Sequence, residues 1–339
     1  MAVAGTGVVH DGREIETVAL AGGGLSATVL TLGATLADLV VETAQGPRRL
    51  LLGFDRVERF VTQAAYLGAI AGRCANRIRA GRCTIDGRAV ALSINDGPNH
   101  LHGGTIGFGK RVWRIADATA DAVELSLVSP DGEEGYPGRV EARCRYTLGG
   151  DGTLTIALAA TTDAPTLVNL AAHGYFALDD GPTVLDHRLV VAADRYTPAG
   201  DDLLPTGEIL PVAGTRFDFR AERAVRNGPD GAHVPYDTNL VLADAPSATP
   251  RFAARLSSPA SGVALELSTT EPGLQVYDGG FLPVPEPLAG GRPGVRFGGI
   301  CLEPQRFPDA VNHPNFAGAL LRPGETCRQT TVYRINTDG

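Results

Sequence analysis

The 339-residue sequence carries a formal net charge of −8, with Lys and Arg placed singly or in pairs, which argues against nucleic acid or an anionic membrane surface as partner. At 43% hydrophobic and 20% charged residues the chain can bury a large core, and extended disorder is excluded. Its 43 glycines and 23 prolines imply many tight turns and few long helices, and so β structure.

The first residues, Met1 to Gly7, lack a charged start followed by an apolar stretch, so no secretory leader is expected. Residues 25–32 read as a strand, and 61–70 as the one short helix candidate. The apolar run around 64–71 is far too short to span a bilayer. Asp86-Gly87 reads as a hairpin turn between 83–85 and 89–92. Strands follow at 123–128 and at 140–148, where Val140, Ala142, Cys144, Tyr146 and Leu148 alternate with Glu141, Arg143, Arg145 and Thr147. The Gly149-Gly150-Asp151-Gly152 run turns the chain into Leu154, Ile156 and Leu158, a second hairpin. Further strands are expected at 189–193, 263–267, 274–277, 298–302 and 331–335. With no linker and no fixed-period repeat, the expectation is an all-β chain. It would form a large antiparallel β-sandwich with few short helices, one domain over 1–339. Five widely scattered cysteines without CxxC spacing favour free thiols and a cytoplasmic location.

Five stretches carry polar groups that structure alone does not demand. Asn76 beside Arg77 offers an amide and a planar fork of donors suited to a hydroxyl-rich ligand, although a turn-flanking surface Arg fits as well. His100 and His102 would face one side of an extended backbone. They lack the further Cys or His partners a zinc site wants, so no metal is expected, and Gly103-Gly104 allows close backbone approach. His173 lies in an apolar, aromatic-flanked stretch and can equally be a hydrogen-bonded core residue. Asp237 and Asn239, two apart, share a strand face, and a turn-forming Asp after Pro235 is the plainer alternative. Glu303 precedes Pro304, so the strand should end there and present the carboxylate at the sheet rim. Partial desolvation would tune it as a general base, unless it simply pairs with Arg306.

Taken in order, these stretches resemble the aldose 1-epimerase (galactose mutarotase) family over essentially the whole chain. The likeness is carried by Asn76-Arg77-Ile78, Asn99 to Gly104, Lys110-Arg111-Val112-Trp113, Asp131 to Gly138, His173-Gly174-Tyr175-Phe176, Leu274-Gln275-Val276-Tyr277 and the Glu303 segment. It implies a galactose mutarotase-like supersandwich. The implied reaction interconverts the α and β anomers of a free aldohexose, glucose or galactose, without cofactor, on a monosaccharide substrate, by a monomer or homodimer. It further implies Glu303 as base, His173 as acid and His102 as a donor to the ring oxygen, with Asn76, Arg77, Asp237 and Gln275 on the sugar hydroxyls. That chemistry asks for an ionised Glu303 and a protonated His173 at rest. The sequence departs from the family pattern at Thr238, Ala172, Gly174 and Gly109, which bear on sugar preference rather than on proton transfer. A glycoside hydrolase using Asp237 and Glu303, a non-catalytic sugar-binding protein and a sugar-phosphate epimerase are the competing readings.

Overall fold

A computed structural model describes residues 2–228, 232–282 and 287–337. The chain begins as a five-stranded antiparallel meander (Ala2–His10, Arg13–Gly22, Leu25–Leu30, Thr35–Thr43, Gly46–Arg49). The largest sheet has nine strands. Its central run is Ala122–Ser129, Val140–Gly149, Thr153–Thr162, Cys327–Asn336, Ala264–Thr269 and Arg251–Ser257. A six-stranded sheet holds Tyr175–Phe176, Ile300–Gln305, Gly273–Tyr277 and Asp237–Val241 side by side.

The alternation at 140–148 does what a half-buried strand requires. Val140, Ala142, Cys144, Tyr146 and Leu148 turn into the core, while Arg143 and Arg145 reach Glu124 and Asp117 across the outer face. Both expected hairpins form, Arg82–Ile85 with Arg88–Ala91 and Val140–Gly149 with Thr153–Thr162. One hydrophobic cluster contains residues of all three large sheets, among them Leu39, Val123, Leu154, Tyr333, Val276 and Leu302. The nine- and six-stranded sheets meet where the Phe176 and Tyr333 rings lie 5.2 Å apart and where Gln329 Nε2 donates to the Pro304 carbonyl at 2.8 Å. The fold is the expected all-β sandwich of antiparallel sheets.

Two expected elements differ. The helix is Val57–Thr62 and not 61–70. Leu67 and Ile70 are buried by a different route. Tyr66 and Gly68 take positive φ, and Ile70-Ala71 pairs as a short strand with Ala171-Ala172. The strand carrying Glu303 also does not stop at that residue but runs from Ile300 to Gln305, with Pro304 opposite Leu274. The neighbour on its other side pairs only with Ile300 and Cys301, so Pro304 lies beyond that ladder and its missing N–H breaks nothing there. Among the described residues no helix is long and apolar enough to cross a membrane.

Candidate active site

Antiparallel register puts directly paired residues on one sheet face, and that rule builds the floor of the site. Tyr175 pairs with Cys301, Cys301 with Tyr277 and Tyr277 with Asp237, giving one row. Glu303 pairs with Gln275 and Gln275 with Asn239, giving the next row on the same face. Three distant sequence segments thus place Glu303, Asp237 and Tyr277 side by side. Arg306 is not the partner of Glu303, because its guanidinium pairs with Glu271 at 3.0 Å.

His173 hangs over this floor from the short link between Ala171–Ala172 and Tyr175–Phe176. Its own N–H donates to Ala69 O and its carbonyl accepts from Gly68 N, both at 2.9 Å. Nε2 lies 3.8 Å from Glu303 Oε2, and Nδ1 lies 3.5 Å from the Cys301 sulfur. His102 lies beside it, its ring centroid 5.3 Å from that of His173 and the planes 74° apart. The expectation that His100 and His102 share a face fails, because His102 takes φ +49° and breaks the alternation. His100 instead turns into the core, bonded to Ser93 O and the Tyr136 hydroxyl. Gly103 is required where it stands: with φ +88°, a Cβ there would sit 1.7 Å from the Gly72 carbonyl oxygen.

These groups line a cleft of about 360 Å³, at the small end of ligand sites. Its polar wall is Asn76, Arg77, Asp96, His102, His173, Asp237 and Glu303, and its apolar wall includes Tyr66, Tyr175, Tyr277 and Phe281. The Tyr277 and Phe281 rings are stacked at the mouth, 6.4 Å apart and 15° from parallel. A pyranose has the same two characters, hydroxyls around its rim and C–H groups on its faces. Arg77 is the only Lys or Arg among the described lining residues, and Asp96 at 2.8 Å and Asp237 at 3.6 Å already engage it. A larger cavity of about 570 Å³ beside the Asp86-Gly87 hairpin holds no comparable group of acid and base side chains, so volume does not decide where the chemistry is.

Of the residues expected to hold sugar, Asn76, Arg77 and Asp237 reach the cleft, whereas Gln275 lies behind it. Its amide donates to Asp237 Oδ1 at 2.5 Å and so braces a wall residue from beneath. Asn239 is likewise buried, donating to Thr197. Tyr66, Asp96, Tyr175, Tyr277 and Phe281 were not singled out from the sequence. Tyr277 sits two residues after Gln275 in one strand, so the strand period alone places it on the same face as a group already chosen.

Burial works against the expected charges of the proton-transfer pair. Burial lowers His173 from 6.5 to about 4, and burial, reinforced by Asp237 and opposed by Arg77, pushes Glu303 well above the usual carboxylate range. Glu303 Oε2 has no hydrogen-bond partner, and 3.8 Å is too long for one to His173. Burial thus pulls both groups toward their neutral forms, against the expected ion pair. Both arrangements hold one proton between the two groups and differ only in its place. His102 is unambiguous. The Asn76 N–H donates to its Nδ1 at 3.2 Å, so the ring hydrogen is on Nε2, and burial with the nearby His173 and Arg77 keeps its affinity for a second proton well below normal. Burial likewise raises Asp237, against the pull of Arg77 and Gln275.

Fold and cleft together define an all-β protein with a monosaccharide-sized site equipped to move protons. A family model described as aldose 1-epimerase matches residues 16–334. Galactose mutarotase of Rattus norvegicus is 40% identical over 329 residues, covering 96% of this chain and 95% of that protein. Aldose 1-epimerase of Escherichia coli K12 is 37% identical over 320 residues, 92% of each. The solved structure of an aldose epimerase homologue from C. elegans superposes with a TM-score of 0.90 at 33% identity, covering 95% of this chain and 99% of that one. Galactose 1-epimerase from Lactobacillus acidophilus gives 0.85 at 28% identity, covering 100% and 99%. The chain belongs to the aldose 1-epimerase family, and it is an isomerase acting on carbohydrates.

Proposed function

We propose that this chain, acting as one catalytic domain, interconverts the α and β anomers of free galactose or glucose, with Glu303 and His173 as the proton-transfer pair. One observation carries the reading: the two groups face each other across 3.8 Å in the cleft, beside a neutral His102 whose Nε2–H is free to donate. Hydroxyls entering the cleft supply the donor that Glu303 Oε2 lacks, which favours the carboxylate and moves the shared proton to His173. Glu303 then takes the proton of the anomeric hydroxyl as His173 protonates the ring oxygen, and the C1–O5 bond opens to the aldehyde. Rotation about C1–C2 presents the other carbonyl face. Ring closure returns both protons along the same path, so each group is acid in one direction and base in the other.

His102 donates to the ring oxygen, while Asn76, Arg77 and Asp237 hold the hydroxyls that keep C1 between the pair. Gln275 fixes Asp237. Proton transfers of this kind need no cofactor, and Arg77, already paired with both Asp96 and Asp237, gives no free cation for a sugar phosphate. The five free cysteines fit a reducing, cytoplasmic setting, with the protein working as monomer or homodimer. Polarimetry on freshly dissolved α-galactose and α-glucose tests the reading. Faster approach to anomeric equilibrium without new products supports it; spontaneous rates on both sugars, or release of reducing ends from a glycoside, would overturn it.

A further inference from the structure

Cys301 has no part in the proton transfers, yet it stands two residues from Glu303 on the same strand face, directly under His173. We propose that His173, Cys301 and Glu303 also form a binding site for a thiophilic divalent cation, zinc, and that its occupancy shuts the enzyme off. Among the described residues this is the one group of three His, Cys, Asp or Glu side chains whose donor atoms converge, all within 4.8 Å of one another. His173 Nδ1 lies 3.5 Å from Cys301 Sγ and Nε2 lies 3.8 Å from Glu303 Oε2, so whichever nitrogen the ion takes, one of these separations is already close to that of a bound ion. Tetrahedral zinc, with bonds of about 2.0–2.3 Å, holds its donors roughly 3.3–3.8 Å apart, so the set closes by about 1 Å. The ion takes one of the two imidazole nitrogens.

A second observation points to a ligand here. Glu303 Oε2 is buried in a residue 2% exposed and has no hydrogen-bond partner, so the site contains an acceptor that nothing in the fold satisfies. The donor set decides which ion. One nitrogen, one sulfur and one carboxylate oxygen suit zinc, whereas magnesium and calcium want oxygen throughout. Three protein ligands leave a fourth position open toward the cleft, where water completes the shell. On binding, the thiol loses its proton and the Glu303–His173 pair gives up the one it holds, both to solvent. The ion then occupies the lone pairs that must accept protons from the sugar, and ion and sugar exclude each other.

The inhibitory half rests on the proposed roles of Glu303 and His173; the binding half does not. Zinc is titrated into the wild-type protein and Cys301→Ser while mutarotation is followed by polarimetry, and cobalt is added in parallel as a spectroscopic substitute. Micromolar zinc should slow the wild type, excess galactose should protect and a chelator should restore the rate. Cys301→Ser should need on the order of 100-fold more zinc, since even outer-sphere partners are worth 10–100-fold. The wild type with cobalt should show a thiolate charge-transfer band that Cys301→Ser lacks, a readout that needs no turnover. An active wild type without that band, or a variant as sensitive to zinc as the wild type, overturns the metal site and leaves the epimerase reading standing. A normal band on a protein that never turns over sugar does the reverse.

Discussion

Replacing Glu303 by Gln keeps the shape of the side chain and removes its ability to hold a negative charge, and two opposite effects should follow. General base catalysis is worth roughly 10²–10⁴ in rate, and the amide cannot replace it, so kcat/KM should fall about 10³-fold, or about 4 kcal/mol of lost transition-state stabilisation. Stability should move the other way. The carboxyl is 2% exposed with Oε2 unpartnered, and an unsatisfied buried polar group costs roughly 1–3 kcal/mol, more when charged. Because Glu303 titrates above its unfolded value in the folded state, its contribution to stability is present below that unfolded value and is lost as pH rises through the folded one. The melting temperature of Glu303→Gln should therefore gain on that of the wild type as pH rises above the ordinary carboxylate range, by on the order of 1–2 °C per kcal/mol for a chain this long. Polarimetry and calorimetry over that rise in pH read both effects. Turnover within tenfold of wild type would refute the base assignment, and a variant that loses ground as pH rises would refute the burial argument.

His173→Asn should lose activity on a similar scale in the polarimetric assay. It should also resist acid better: His173 drops from 6.5 to about 4 on folding, so the wild type loses about 3 kcal/mol as pH falls through that window, and denaturant titrations should show the loss diminished in the variant. Asp237→Ala, which removes a wall residue braced by Gln275 and facing Arg77, should raise KM as well as lower kcat, whereas Gln275→Leu, one layer back, should produce a milder version of the same change in steady-state kinetics. Gly103→Ala should cost more than 2 kcal/mol in urea unfolding, because its Cβ meets the Gly72 carbonyl at 1.7 Å in a left-handed backbone.

The strands were legible because one face of each is wet: Arg143 and Arg145 advertise the outer surface as clearly as Cys144 and Tyr146 do the inner. The site strand was harder to read. Ile300 to Gln305 is buried on both faces, so no alternation marks its end, and Pro304 reads as a stop because the sequence does not show that the neighbouring ladder has already ended. The helix was displaced for a related reason, since the apolar residues after Thr62 are buried by strand pairing and tight turns, not by a helical stripe. Glu303, His173, His102, Asn76, Arg77 and Asp237 do converge on one cleft, and strand period explains why Tyr277 joins them. Tyr66 and Asp96 come from loops with no period to read. The resting charges lay beyond the sequence altogether. A carboxylate near an imidazole suggests an ion pair, but the sign of the outcome depends on how much chain from elsewhere covers both groups.

The most direct test is the structure of Glu303→Gln crystallised with galactose, which holds the sugar without turning it over. The anomeric oxygen should lie within hydrogen-bond distance of the residue-303 side chain, with the ring oxygen facing His173 and the Nε2 of His102. A galactose whose C1 points toward Phe281 and the mouth of the cleft, with neither residue 303 nor His173 at its hemiacetal, would contradict the mechanism.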